Sequence, residues 1–336
     1  MSARPAVDSS QESRATTIVA TVIILWVIGS IGIPLRLWAR RKSGAALWWD
    51  DWLVIIAWVP FAAVCIANLI GVHFGAGRHT VWVLQHHPDH MVPFLKYIYT
   101  GEILYPFVIV PVKCSICCLY IRIFGIYKAF RWYNYLFIVI TVLWGLANLF
   151  GLIFQCHPIH EAWNPSGDRS MCVNLKAFLV GTNTPNVILD FLILVAPIPL
   201  IWRLHLLTRK KILIIAVLTL GAGETAFSLI RLAKLTSLGA TDLTWDYFIA
   251  IIWSTVEPSV GLLCVCVPVL GPLLPRSFMD RVTSDHRSGD QFYRRRIPRN
   301  SSYIVGKIDR TADFTRLDGP NQRIESSDAL EDSSNR

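Results

Sequence analysis

The sequence predicts an all-α polytopic membrane protein, a bundle of seven transmembrane helices, and three observations carry that prediction. Apolar residues make up 53% of the 336-residue chain and charged residues only 16%, whereas soluble domains carry about 25% charged residues. Seven mostly apolar stretches lie between charges, each close to the roughly 20 residues that cross about 30 Å of hydrocarbon. Lys and Arg are sorted unequally between alternate loops, as membrane insertion requires. The 13 Trp, 16 Phe and 10 Tyr are too much apolar surface for a disordered chain. Length alone suggests about two domains, but the apolar runs override that prior.

Taken in order, the first span is predicted at 16–37, between Arg14 and Arg36. It is too long for the apolar region of a cleaved signal and lacks the usual basic segment before it. The second is expected at 51–73, bounded by Asp51 and Arg78. The third, 94–121, carries Glu102 and Lys113 inside it. The fourth is placed at 132–155, between Arg131 and Glu161. The fifth, 176–201, has Asp190 at its centre. The sixth, 212–233, contains Glu224 and Arg231, and the seventh, 247–270, contains Glu257.

With span 1 running inward, the cytosolic loops hold ten basic residues: Arg40, Arg41, Lys42, Arg122, Lys128, Arg131, Arg203, Arg209, Lys210 and Lys211. The opposite side holds five, namely Arg4, Arg14, Arg78, Arg169 and Lys234. This bias predicts an extracellular tail at 1–15, a membrane domain at 16–275 and a cytosolic tail at 276–336, in the plasma membrane. The net charge of +9 is thereby explained by topology, and nucleic acid is excluded as a partner. Residues 276–299 carry seven Arg and three Asp, a composition attracted to anionic headgroups. Residues 300–336 read as disordered.

Cys65, Cys114, Cys117, Cys118, Cys264 and Cys266 fall within spans and read as small buried apolar residues. Cys156 and Cys172 share one outer loop, where an oxidising compartment favours a disulfide. Closing that loop stabilises it by about 3 kcal/mol in the chain-entropy model. His87-x-x-His90 and His157-x-x-His160 could each present two imidazoles to a metal or charge together on acidification. No Cys or Asp cluster at metal-site spacing accompanies them, so the expectation is no metal and no cofactor.

Ionisable residues near a bilayer centre cost at least about 2.5 kcal/mol each, so six of them need a reason. Glu102 and Lys113 lie on one face of span 3, about 16 Å apart along its axis, and must find partners elsewhere. Depth counted from the loops suggests Lys113 with Asp190 or Glu257, and Glu102 with Arg231. Glu224 shares a helix face with Arg231. Four acids against two bases leave a surplus that must be protonated, hydrogen-bonded or matched by a cation. These six residues are the candidate intramembrane polar pocket; the alternative is structural glue between helices.

Several short motifs occur together in order. They are Arg36-x-Trp38-x-Arg40, Trp49-Asp50-Asp51, Gly75-Ala76-Gly77-Arg78-His79, and Lys113-x-Ser115 through Leu119-Tyr120-x-Arg122-Ile123-Phe124. Then follow Cys156-His157-Pro158 with Trp163 and Cys172, Asp190 with Pro197-x-Pro199, Gly221, Arg231, and Trp253-x-x-x-Glu257. Over residues 16–275 the chain resembles the fungal rhodopsin-domain family, which includes appressorium-receptor-like and satratoxin-cluster-type membrane proteins. The resemblance implies a seven-helix protein that is receptor-like or belongs to a secondary-metabolite cluster. The N-terminal tail leaves no room for the cysteine-rich outer domain of some receptor-like members. Span 7 contains no Lys, so the retinal Schiff base has no nucleophile.

Two functions follow as expectations. One is a receptor-like protein binding a small apolar or amphiphilic ligand, with a cytosolic signalling partner at the inner loops and tail. The other is an intramembrane enzyme, a cyclase or hydrolase, that uses the buried acids as proton donors on a lipophilic metabolite.

Overall fold

The computed structural model describes residues 13–164, 170, 172–203, 208–236 and 242–273. The first twelve residues and the expected cytosolic tail at 276–336 lie outside them. Among the described residues there is no strand, and nine α-helices follow one another. These are α1 Ala15–Ser43, α2 Trp49–His73, α3 Thr80–His86, α4 Met91–Phe124, α5 Lys128–Ile153, α6 Leu175–Val195, α7 Ile198–Arg203, α8 Thr208–Thr236 and α9 Leu243–Cys266. Seven of the helical segments are long and apolar enough to cross a membrane. They match the seven expected spans, with bounds that shift by up to about six residues, and two of the differences bear on the architecture. α1 runs six residues past residue 37, carrying Arg36 and Arg40 with it. The fifth span breaks after Val195, where Ala196 and Pro197 separate α6 from α7; Pro197 has no N–H to give the helix there.

α4 is the hub of the bundle. It packs against α2, α5 and α9, while α1 closes against α2 and α9, and α8 against α6 and α9. In the most apolar stretch of α4, 67% is buried, against 22% in α1, so α4 is enclosed by protein and α1 faces lipid. The lipid-facing belt includes Ile24, Val27 and Ile31 on α1, Val139, Leu143 and Phe150 on α5, and Phe191 on α6, all exposed. Such a continuous apolar surface suits a bilayer and no aqueous solvent. At one end of the bundle Trp38, Trp48, Trp49, Trp52 and Trp132 are exposed, the position of an interfacial aromatic belt. We call this the arginine end, and the opposite end, which holds the Cys156–Cys172 bridge, the disulfide end.

Close helix contacts depend on small residues. A Cβ on Gly71 would lie 2.6 Å from the Tyr97 ring, so only glycine lets α2 and α4 approach there. Gly44 closes α1 in the left-handed region at φ 64°, where an L side chain is strained. In the turn after α2, the N–H of Gly77 reaches the carbonyl of Thr244, and its own carbonyl accepts from the Arg14 N–H. That turn therefore ties the starts of α1 and α9 together at the disulfide end.

Candidate functional site

Of the six ionisable residues expected to form one pocket, Glu102 stands apart from the hydrogen bonds of the other five, although it shares a void of about 20 Å³ with Arg231. Glu102 lies toward the disulfide end and lines a cavity of about 440 Å³ between α4, α5, α6, α9 and the bridged loop. Leu95, Ile98 and Leu152 give this cavity its apolar wall, and the Cys156–Cys172 bridge contributes to its rim. Glu102 accepts a hydrogen bond from Tyr247 Oη at 3.2 Å. The expected pairing of Glu102 with Arg231 does not form. Arg231 lies with its guanidinium 3.8 Å from the Tyr105 ring centroid and pairs with Glu257 at 3.2 Å.

The other five residues meet in the middle of the bundle, all buried. Lys113 Nζ reaches Asp190 Oδ1 at 2.8 Å and donates to the Asn186 carbonyl at 2.8 Å. Glu257 Oε1 accepts from Tyr105 Oη at 2.8 Å and Asn186 Nδ2 at 2.9 Å. Ser228 Oγ lies 2.9 Å from both Asp190 Oδ2 and Glu257 Oε1. A hydroxyl has one proton to give, so this bridge serves one carboxylate at a time unless one of them carries a proton. Glu224 has no hydrogen bond or ion pair among the described residues. It faces a void of about 20 Å³ shared with Lys113 and Asp190, room for about one water. Among the described residues, Arg231 Nε and Asn186 Oδ1 are also buried without a hydrogen-bond partner.

A second charged cluster, at the arginine end, was not expected from the sequence. Its residues appear in the motifs, but charges near helix ends read as headgroup-facing. Arg36 and Arg40 project from successive turns of α1 onto Asp50 and Asp51 in the first turn of α2. Arg36 pairs with Asp50 and, at 2.6 Å, with Asp51. Arg40 reaches Asp50 at 2.7 Å and Asp51 at 3.1 Å. Arg122, near the end of α4, adds a bond to Asp50 at 3.1 Å. Ser115 Oγ on α4 donates to the Asp50 carbonyl at 2.7 Å, and Arg36 also donates to the Val265 carbonyl on α9. Asp51 doubles as a helix cap, accepting from the Trp48 N–H at 3.1 Å. Two guanidinium forks on two carboxylates are the strongest form of such pairing. The available signal was the spacing: four residues from Arg36 to Arg40 on one helix face, then two adjacent acids opening the next helix.

At the disulfide end a smaller group gathers on Asp242. It accepts from the Thr80 N–H at 2.8 Å and Thr80 Oγ1 at 2.9 Å, and it meets His79 Nδ1. Burial pushes its carboxyl up, but the bonds from Thr80 and His79 outweigh that and hold it below the usual carboxylate range. His79 stacks on Trp245 with ring centroids 4.1 Å apart. His157 and His160 are exposed, and His160 lies 3.2 Å from Glu161.

Comparison with known proteins supplies a family for this architecture. The profile described as "Fungal rhodopsin domain" matches residues 35–276. A Metarhizium anisopliae protein named "Polyenoic acids biosynthesis gene cluster protein Ba17b" is 27% identical over 80% of this chain and 76% of its own length. An Emericella nidulans "SAT4 family membrane protein" is 31% identical over 62% of the chain and 52% of its own length, so the match spans about half of that relative. "Receptor GIN3" of Arthrobotrys oligospora is 21% identical over 76% of the chain and 62% of its own length. No solved structure matches the chain.

Proposed function

The chain belongs to the fungal rhodopsin domain family, and from that premise we propose a receptor-like protein that takes a small amphiphilic ligand, without retinal, into the cavity at the disulfide end. The observation that carries this reading is the cavity of about 440 Å³ with an apolar wall and two carboxylates: Glu161 on the bridged loop, which already accepts from Asn164, and Glu102, which among the described residues accepts only from a tyrosine hydroxyl. Ligand sites of about 300–1,000 Å³ combine such walls with a few polar groups that fix orientation. A carboxylate in an apolar wall selects a ligand that brings a cation or a hydrogen-bond donor, since an unmatched buried charge is costly. The name of the Arthrobotrys oligospora relative, a receptor, supports the same reading.

The disulfide end faces the extracellular side and the arginine end the cytosol, in the plasma membrane, where the inner loops and the tail meet a signalling partner. The bias of Lys and Arg to one side supports this orientation, as does a disulfide that needs an oxidising compartment. A protease added to intact cells should leave a C-terminal tag whole; cleavage of the tag would reverse the topology.

For the cavity, the chain in lipid nanodiscs is titrated with dodecylamine and, separately, with dodecanoic acid. The amine should raise the melting midpoint of the parent and leave that of Glu102→Gln unmoved. An equal response of both chains, or a larger response to the acid, would remove Glu102 as the anchor. The second reading, an intramembrane enzyme, draws on Glu224 as a buried proton donor and on the biosynthesis-cluster name of the Metarhizium anisopliae relative. The void at Glu224 holds about one water and no substrate, which ranks this reading second.

A further inference from the structure

The histidines at the disulfide end take no part in the ligand reading, yet several of them gather. We propose that His87, Asp89 and His90 form a binding site for a divalent transition-metal ion of the zinc and copper class. His87 and His90 are separated by the single 3₁₀ turn Pro88–His90, closed by a bond from the His90 N–H to the His87 carbonyl at 3.0 Å. A 3₁₀ turn has three residues per turn and eclipses positions i and i+3. The two imidazoles therefore lie face to face, with centroids 4.8 Å apart and planes 12° apart. Asp89, between them in sequence, completes the group, and ligand atoms of all three residues lie within 4.8 Å of one another.

Two imidazoles and a carboxylate are a donor set that suits zinc or copper and leaves a fourth position open. Zinc–ligand bonds of about 2.0–2.1 Å place tetrahedral ligand atoms about 3.4 Å apart. Closing the present group brings ligand atoms together by at most about 1.4 Å, a side-chain rotation open to His87 and Asp89 because both are exposed. A further imidazole stands beside the site: the ring of His73, in the last turn of α2, lies 5.7 Å from that of His90. Phe74 meets both rings edge-on, giving the group an apolar base. The expectation of no metal rested on missing acids at suitable spacing, and Asp89 supplies one within the same four residues. An ion held here would fix the residue preceding α4, whose ring stands against that of His73 at the end of α2.

The test uses the full chain, purified in detergent through a tag without histidines, stripped with a chelator and titrated calorimetrically with zinc chloride. One saturable site is expected, with affinity on the order of micromolar. His87→Ala/His90→Ala should weaken it more than about 100-fold, and Asp89→Asn about tenfold. His157→Ala/His160→Ala should leave it unchanged. Unaltered affinity in the first double variant, loss of affinity in the second, or no saturable uptake by the parent would each overturn the site. Should the His87/His90 variant be lost in purification, cobalt(II) added to the parent and to Asp89→Asn decides. A visible spectrum that changes with Asp89 supports the site, and an identical spectrum refutes it.

Discussion

The arginine-end cluster and the mid-bundle cluster both draw on α4 and α9, but they differ in how completely their charges are matched. At the arginine end three guanidinium groups surround two carboxylates, and all four carboxylate oxygens accept a bond. Arg36 and Arg40 lie 10 to 15 residues from the acids they bind, so the cluster staples two helices joined by a short turn. In the middle of the bundle, Arg231 and Glu257 are 26 residues apart, and Lys113 and Asp190 also come from distant helices. Among the described residues that cluster has an acid with no hydrogen bond, Glu224, an unmatched guanidinium nitrogen and a void that Glu224 shares with Lys113 and Asp190. A saturated cluster has one arrangement to adopt. An unsaturated one has alternatives of similar energy, because the Ser228 hydroxyl can turn between two acceptors. Slack of this kind suits the region beneath the proposed ligand cavity, and saturation suits an anchor.

The largest expected effect is at the anchor. Asp50→Asn removes a charge that three arginines share, and breaking buried pairing of this kind costs about 3–5 kcal/mol. The variant should lose its monodisperse peak in fluorescence-detected size exclusion. Adding Arg36→Met should not restore the peak, since Arg40 and Arg122 still face the lost carboxylate. A stable Asp50→Asn chain would break the contrast between the clusters.

In the middle of the bundle, rescue is expected. Lys113→Met and Asp190→Leu should each be lost, because each strands a buried charge, whereas the double variant should fold again. Glu224→Gln, which exchanges a carboxyl for an amide of the same shape and breaks no hydrogen bond among the described residues, should shift stability by about 1 kcal/mol or less. A double variant as poor as the singles would mean that the middle cluster is as rigid as the anchor.

The smallest effect belongs to the partly exposed group on Asp242, where water screens the charges. A carboxyl held below its ordinary value stabilises the fold above about pH 4, its unfolded value. That contribution fades as pH falls through the lower folded value. Asp242→Asn should therefore melt below the parent at pH 7, by less than the buried variants, and the gap should close under about pH 4. A gap that persists in acid would assign the difference to packing.

The seven spans were legible because each mostly apolar run is bounded by charges, and charge is costly in hydrocarbon. The partners of those charges were less so. Arg231 was assigned to Glu102 by the depth of its backbone, but a long side chain carries its charge away from its own Cα. Here it reaches across Tyr105 to Glu257. The arginine-end cluster escaped for a related reason: a run of charges at a helix end is normally solvated, and only α1 continuing past residue 37 turns Arg36 and Arg40 inward. The cavity was not legible at all, since no local pattern records where a looped disulfide and four helices leave space.

At 34 residues, α4 is about 51 Å long, and along it stand, in order, His90 just before its first turn, Glu102 in the cavity wall, Lys113 in the slack cluster and Arg122 in the anchor. From Lys113 to Arg122 the rise is about 14 Å, with no proline between them. Between Glu102 and Lys113 the rod is weakened at Pro106 and Pro111, each of which removes a backbone bond. A push on the upper segment is therefore delivered to Arg122 as a lever stroke only if those two joints stay stiff, and if they bend it is spent at Lys113 in the middle of the bundle.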